Sequence, residues 1–369
     1  MSPTPALSNS RFPALDLMRF AAALAVTCYH FVSSYPSAAD GAQPVMAVAT
    51  SFTRYGYLGV ELFFMISGFV ILWSSLGRDV LAFAISRVSR LYPSFWVSLV
   101  FSMLCITLLA RVAPSIGTTP LNLRTILANA TMMPAPLKAP LIEGIYWTLE
   151  IEIRFYALIV LALLCRQMKR IEAWLCLWLA ASVIAQTFEV PWVVKYLTLA
   201  PYGPFFIAGC VFYLVFARGM TVLRGVMLAV CAVSCGCAAS SNRADFITPD
   251  AISAFVVPAL TTAFFVIFLL LTLRRGPRGE MAVARRLGEL TYPLYLTHAS
   301  LGVLVYALLR PQIGIAAALA IMFALAFLVA WVITVTVDIP ARKPFANLLY
   351  RIATALRLPG HAPAKPNAG

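Results

Sequence analysis

Hydrophobic stretches follow one another along almost the whole chain, separated by short breaks that carry proline, arginine or other polar residues. Most of the stretches reach the roughly 20 residues that an α-helix needs to cross the hydrocarbon core of a bilayer. The pattern predicts ten membrane-spanning helices, which places both chain ends on one side. The predicted spans are residues 14–35, 56–76, 91–112, 144–164, 172–188, 197–217, 223–240, 251–273, 287–308 and 313–336.

Composition supports an all-α, polytopic membrane protein. Of the 369 residues 62% are hydrophobic and only 11% are charged, whereas soluble domains carry about 25% charged residues. We expect a cytoplasmic N-terminus at residues 1–13, one membrane domain at 14–345, and a cytoplasmic, partly disordered tail at 346–369. The first span has no clear cleavage site and is predicted to be retained.

Positive charge predicts the orientation, because Lys and Arg concentrate in cytoplasmic loops. With the N-terminus inside, nineteen basic residues fall on the inner side and seven on the outer side. This split predicts that both termini lie in the cytoplasm. The net charge of +14 is therefore spread over six inner segments facing anionic lipids. No single basic patch points to nucleic acid. The eight cysteines lie mostly in apolar runs, and we expect no metal site.

Ionisable side chains within the spans are candidates for function, because each costs at least about 2.5 kcal/mol at bilayer depth. In the first span Arg19 and His30 lie eleven residues apart and share a helix face, and Asp16 can pair with Arg19. His30 could be catalytic or a hydrogen-bonded core residue. Glu61, at a similar predicted depth, could orient its imidazole. The candidates are Asp16, Arg19, His30, Glu61, Glu150, Glu152, Arg154, His298 and, at a helix end, Asp338.

The fourth span carries three charges, of which Glu150 and Arg154 stand four residues apart and are predicted to pair. Glu152 points away from Glu150, has no predicted local partner, and is a second catalytic candidate. Trp147 could stack on a sugar ring, although membrane-interface anchoring is the commoner reason for such a residue.

Four further positions have two interpretations each. Ser67, beside Gly68, could contact a ligand or allow close helix packing. His298 could line the same cavity as His30 or pack between helices. Arg87 and Arg90, predicted in the inner loop where the third span begins, could bind phosphate or only mark topology. The proline-rich outer segment 113–143 could lie over a site.

Taken in order, these motifs resemble the acyltransferase-3 family of integral membrane O-acyltransferases. The resemblance extends from about residue 12 to residue 345, and the whole ordered set is far more specific than any one motif. The motifs are LDLMRFAAA (15–23) followed by Tyr29-His30, GVELFFMISGF (59–69), RVSRLYP (87–93), YWTLEIE (146–152) with Phe155-Tyr156, LGELTYPLYLTH (287–298) and DIP (338–340).

The resemblance implies transfer of an acyl group, commonly acetyl from acetyl-CoA, to a hydroxyl of a cell-envelope saccharide or lipid-linked saccharide in a bacterial-type inner membrane. It makes His30 the catalytic histidine and Glu152 the glutamate of the tryptophan-containing motif. It makes Arg19, Arg87 and Arg90 donor-site residues. We expect no permanently bound cofactor. Substrate contacts are expected from Asp16, Ser67, Trp147, Tyr292 and His298.

Three positions depart from the family pattern: Glu61 stands where Asp is usual, Thr148 where Ser is usual, and Arg154 adds a charge beside the glutamate motif. In the expected mechanism the donor enters from the cytoplasmic side and His30 acts as general base, with Glu152 or Glu61 holding the imidazolium. Acylation of His30 itself and a two-site relay stay open. The alternative function is a proton-coupled transporter or flippase of a lipid-linked sugar.

Overall fold

The computed structural model describes residues 12–36, 40, 43–273 and 281–356. This part of the chain is helical and contains no strand, which confirms the predicted all-α fold. Short 3₁₀ or π turns join several helices. The helices are α1 (Pro13–Cys28), α2 (Pro44–Thr53), α3 (Gly59–Ser75), α4 (Val80–Val112), α5 (Leu123–Ala130), α6 (Trp147–Leu164), α7 (Ile171–Thr187), α8 (Trp192–Thr198), α9 (Gly203–Arg218), α10 (Val222–Asn242), α11 (Ala251–Leu273), α12 (Ala282–Ile333) and α13 (Ile339–Ala355).

Each of the ten predicted spans falls on a helix. Seven continuous helical segments of the described chain are long and apolar enough to cross a membrane. The last of these segments contains two predicted spans, and its backbone kinks at Gly314 (φ 77°), near the boundary between them. The fourth and fifth spans coincide with the 18-residue α6 and the 17-residue α7. The count of ten, the orientation and the domain boundaries stay predictions. Several of the counted basic residues and the predicted disordered end lie outside the described residues.

The third predicted span starts too late, since α4 begins at Val80 and not at residue 91. Asp79 caps the helix by accepting a hydrogen bond from the amide of Ala82 at 2.9 Å. The helix continues through the charged turn that holds Arg87 and Arg90. Both arginines therefore project from a rigid helix and not from a loop.

The core forms around α9, whose residues are almost all buried. It crosses α3 with the two backbones in contact at reciprocal glycines. A Cβ atom on Gly68 would lie 2.1 Å from the Phe206 carbonyl oxygen, and one on Gly209 would lie 2.0 Å from that of Met65. Small residues at such a crossing permit close helix packing in membranes. The packing interpretation of the Ser67-Gly68 pair thus applies to Gly68, whereas Ser67 faces a cavity.

The carboxyl end of α1 continues as a π turn over Tyr29–Ser34, which carries His30. A second π turn, Thr334–Asp338, joins α12 to α13. Its Asp338 is buried, accepts a hydrogen bond from Ser94 at 2.6 Å and pairs with Arg342. π turns often mark functional sites in helices, and here the first of them turns a histidine towards α12.

Candidate active site

Two histidines from opposite ends of the sequence meet at the centre of the site. His30 Nδ1 lies 2.9 Å from His298 Nε2, and the two ring centroids are 5.1 Å apart. His298, on α12, is fully buried. Tyr35 covers the other side of His30 with its ring nearly parallel, 5.5 Å away. The structure therefore places His298, and neither of the predicted glutamates, beside His30.

The hydrogen bonds of His298 define the proton positions in this pair. Its Nδ1 lies 3.0 Å and 2.9 Å from the carbonyl oxygens of Leu294 and Tyr295. A carbonyl oxygen only accepts, so Nδ1 carries a proton, and the Nε2 of a neutral His298 accepts from His30 Nδ1. His30 Nε2 is then unprotonated. This is the tautomer that a histidine needs to act as a general base.

Two side chains of the turn ahead of α6, those of Glu143 and Tyr146, hydrogen-bond to the backbone of α12 on either side of His298. The backbone amide of Ser300 donates to Glu143 Oε2 at 3.0 Å, and the Tyr146 hydroxyl donates to the carbonyl of Leu296 at 3.2 Å. This amide and carbonyl are four residues apart, the spacing of one helical hydrogen bond, and His298 lies between them. Side chains that enter a helical ladder in this way bend the helix locally. Nothing in the sequence periodicity pointed to Glu143 or Tyr146 in this role.

The histidine cavity, with a volume of about 370 Å³, opens beside His30. Residues 116–119 and 142–143 of the predicted outer segment line it, so this segment borders the site as expected. Trp147 also lines it and packs against Tyr202 at 5.1 Å between ring centroids. Its other lining side chains include the aromatic rings of Tyr29, Tyr35, Tyr57 and Phe246.

The arginine cavity is smaller, about 100 Å³, and is lined by Arg19, Arg87 and Arg90, the three residues predicted to bind the donor. Arg19 pairs with Asp16 at 3.7 Å. Arg87 contacts Ser86 at 2.9 Å, but its Nε is buried without a hydrogen-bond partner. In the described part of the chain, no side chain or carbonyl pairs with Arg90. Buried or partly buried cations with unused donors are suited to binding an anionic ligand.

Glu152 belongs to the arginine cavity and not to the histidine pair. Its Oε1 accepts hydrogen bonds from Ser67 at 3.0 Å and from Tyr156 at 2.6 Å. The prediction that Glu152 lacks a local partner is therefore wrong, because Tyr156 lies one turn away on the same helix face. Tyr292 lines the same cavity and donates to the carbonyl of Leu91 at 3.2 Å.

The predicted ion pair between Glu150 and Arg154 is also wrong. Glu150 Oε2 accepts from the backbone amide of Ala135 at 3.1 Å. The Arg154 guanidinium donates to the carbonyl of Tyr196 at 3.0 Å and lies 4.1 Å from the centroid of the same tyrosine ring. Tertiary partners thus replace the expected contact along the helix.

Glu61 is 2% exposed at the start of α3, and its Oε2 has no hydrogen-bond partner among the described residues. It does not hydrogen-bond to His30, whose Nδ1 contacts His298 instead. The predicted orienting contact between Glu61 and His30 is therefore absent from this part of the chain. A catalytic role for Glu61 stays a prediction.

The two cavities share a wall. Val60 of α3 and Tyr295 of α12 are the two residues that line both of them. The hydroxyl of Tyr295 lies 2.7 Å from Thr148 Oγ1 and donates to the carbonyl of Ile145 at 3.2 Å. The arginine cavity and the cavity beside His30 therefore approach each other most closely at these two side chains.

On its other side the arginine cavity adjoins a third cavity across Arg19, Arg90 and Gly288. Arg285 and Arg342 line this third cavity, together with the predicted substrate contact Asp16. Two adjoining cavities lined by arginines thus lie on one side of the wall at Tyr295.

Comparison with known proteins shows the family of the chain. The family model described as an acyltransferase domain matches residues 12–335. The chain is 26% identical over 310 residues to acyltransferase MdmB of Streptomyces mycarofaciens, and the alignment covers 78% of each chain. No solved structure matches the chain. Since the family model covers most of the chain, the protein belongs to the acyltransferase-3 family and is a multi-pass membrane acyltransferase.

Proposed function

We propose that the protein transfers an acyl group, in the simplest case acetyl, from acyl-CoA to a hydroxyl of a cell-envelope saccharide or lipid-linked saccharide at a bacterial inner membrane. The proposal rests on one observation, a pair of adjoining cavities that are lined by different kinds of side chain. One is lined by arginines and the other by His30 and aromatic rings, and they meet at Val60 and Tyr295.

The arginine cavity is suited to the donor. Acyl-CoA carries several phosphate charges on its nucleotide end and a thioester at the end of a slender arm. Arg87 and Arg90 would bind phosphate, with Arg19 held by Asp16 beside them. Glu152, fixed by Ser67 and Tyr156, would keep the arginine side chains apart and in place. The arm then extends towards Tyr295.

The histidine cavity is suited to the acceptor. His30 Nε2 removes the proton from the acceptor hydroxyl as its oxygen attacks the thioester carbonyl carbon. A C–O bond forms, the C–S bond breaks, and the proton passes from His30 to the leaving thiolate. His298 holds the imidazole in the required tautomer, as the orienting member of a catalytic triad does. Aromatic side chains such as Trp147 offer faces on which a sugar ring can stack.

Replacement of His30 by alanine tests this function. Membranes containing the variant, supplied with radiolabelled acetyl-CoA, should place roughly 10²–10⁴-fold less alkali-labile label on envelope saccharides. His361→Ala is the matched control, because this third histidine lies outside the family match at residues 12–335. Wild-type labelling by His30→Ala at equal expression would refute the base role. A transporter would leave acetyl-CoA unconsumed in wild-type membranes.

A further inference from the structure

The two side chains of the wall between the cavities, Tyr295 and Val60, are held in place by packing and hydrogen bonds. The Tyr295 hydroxyl contacts Thr148 and the carbonyl of Ile145, and its ring packs edge-on against Phe63 with centroids 5.9 Å apart. Val60 is buried, and its β-branched side chain has little rotamer freedom in a helix. Neither residue can therefore move aside without breaking packing or hydrogen bonds.

The reaction requires the acyl group to lie at this wall. The donor sulfur arrives from the arginine cavity, whereas the attacking oxygen must lie next to His30 in the histidine cavity. The carbonyl carbon that joins them has to lie at the wall that Val60 and Tyr295 form, because these residues line both cavities. The rest of the acyl chain must find room beside these two residues or displace the acceptor.

We propose that Val60 and Tyr295 form an acyl-selectivity filter that limits the transferred group to a short chain. This inference rests on the proposed acyl-CoA function and adds the residues that decide which acyl group is used. Tyr295 contributes a ring whose hydroxyl is hydrogen-bonded, and Val60 contributes two methyl groups at the same wall. Removing those methyl groups creates space for about two further carbons of the acyl chain.

The filter can be measured through the relative use of acetyl-CoA, butyryl-CoA and hexanoyl-CoA. CoA release is followed with a thiol reagent, with wild-type cell membranes as the acceptor source. The ratio of two donors within one variant does not depend on how much of that variant is folded. We expect wild-type protein to prefer acetyl-CoA and Val60→Ala to raise the butyryl-to-acetyl ratio by roughly tenfold or more, the scale on which a pocket discriminates single methylene groups.

Val26→Ala is the matched control. Val26 is a buried valine that lines the histidine cavity but not the arginine cavity, and the substitution removes the same two methyl groups. Its donor ratio should equal that of wild type. Val60→Ile tests the opposite direction: the added methylene should lower acetyl transfer while acetyl-CoA binding to purified protein is kept.

The outcomes separate the two levels of the proposal. The filter is overturned if wild type releases CoA and both Val60→Ala and Tyr295→Phe show the wild-type donor ratio. The proposed function then stays intact. A shift of equal size in Val26→Ala would also overturn the filter, because general loosening would then explain it. Absence of CoA release from any donor in wild-type membranes would overturn both.

Discussion

The arginine cavity and the histidine cavity adjoin each other but are built differently. The arginine cavity is about 100 Å³ and takes its charged side chains from the interior turns of α1, α4 and α6. The histidine cavity is about 370 Å³ and draws on a π turn, on the connections ahead of α3 and α6, and on the segment after α10. The arginine cavity is small and lined by helices, whereas the histidine cavity is larger and formed largely by connecting segments.

This difference matches the ligands proposed for each side. A CoA donor is the same molecule for every relative that uses it, so a rigid set of cations on helices suffices to bind it. Acceptors differ in shape, and connecting segments tolerate sequence change better than packed helices do. We infer that donor recognition resides in the helices and acceptor recognition in the connections. A change in one cavity should therefore leave the function of the other cavity unchanged.

The largest effect is expected from His298→Ala. Loss of the Nε2 acceptor leaves His30 free to rotate and to take the wrong tautomer, so the maximal rate should fall by roughly 10²–10⁴-fold. The KM for acetyl-CoA should stay unchanged, because His298 lines no part of the arginine cavity. Steady-state kinetics in membranes measures both quantities.

Thr297→Val provides the reference for His298. Thr297 is buried on the same turn of α12, and among the described residues its hydroxyl bonds only to the carbonyl of Pro293 on its own helix. This variant should keep most of the activity. Equal losses in the two variants would show that the effect is disruption of α12 and not loss of the histidine pair.

The next largest effect is expected from the double variant Arg87→Gln/Arg90→Gln. Hydrogen bonds to charged groups contribute about 1.5–3 kcal/mol each, so the loss of two should raise the KM for acetyl-CoA by roughly two orders of magnitude or more. The maximal rate should change much less. Arg166→Gln/Arg170→Gln removes the same charge from outside both cavities and should leave the KM unchanged. An equal KM in both double variants would reduce Arg87 and Arg90 to topology signals.

The sequence was most informative where function depends on local pattern. Apolar runs placed a helix at every predicted span, and the short arginine and serine motifs indicated residues that do line the arginine cavity. The start of α4 was misplaced because Arg87 and Arg90 lower local hydropathy although the helix continues through them. A charged turn inside a helix is indistinguishable from a loop by hydropathy alone.

Contacts between distant segments could not be read from the sequence. His30 and His298 are 268 residues apart, and their pairing depends on how α1 packs against α12. Local spacing also favoured the wrong partner for Arg154, because a tertiary carbonyl and a tyrosine ring displaced Glu150. Glu143 lies in a connection without periodicity, so nothing marked it before the fold was known.

A smaller effect is expected at Glu143, where the hydrogen-bond acceptor can be kept while the negative charge is removed. Glu143→Ala removes the acceptor for the Ser300 amide and should lower the rate about tenfold by shifting the turn that carries His298. Glu143→Gln keeps an acceptor oxygen and should recover most of that loss. Glu150→Ala is the control, since this carboxylate also accepts from a backbone amide, that of Ala135, but lines neither cavity. Failure of the glutamine to restore activity would assign the role to the negative charge.

The smallest effect is expected from added salt, which acts differently on the two cavities. Added salt weakens attraction between the donor phosphates and the arginines, but buried pairs are screened less than exposed ones. Raising NaCl from low to physiological concentration should therefore increase the KM for acetyl-CoA by only a few-fold and leave the maximal rate nearly constant. Arg87→Gln should flatten this salt dependence, whereas Glu143→Gln should not. A salt effect on the maximal rate, equal in both variants, would mean that charge acts on the histidine side as well, and the division of roles between the cavities would then be wrong.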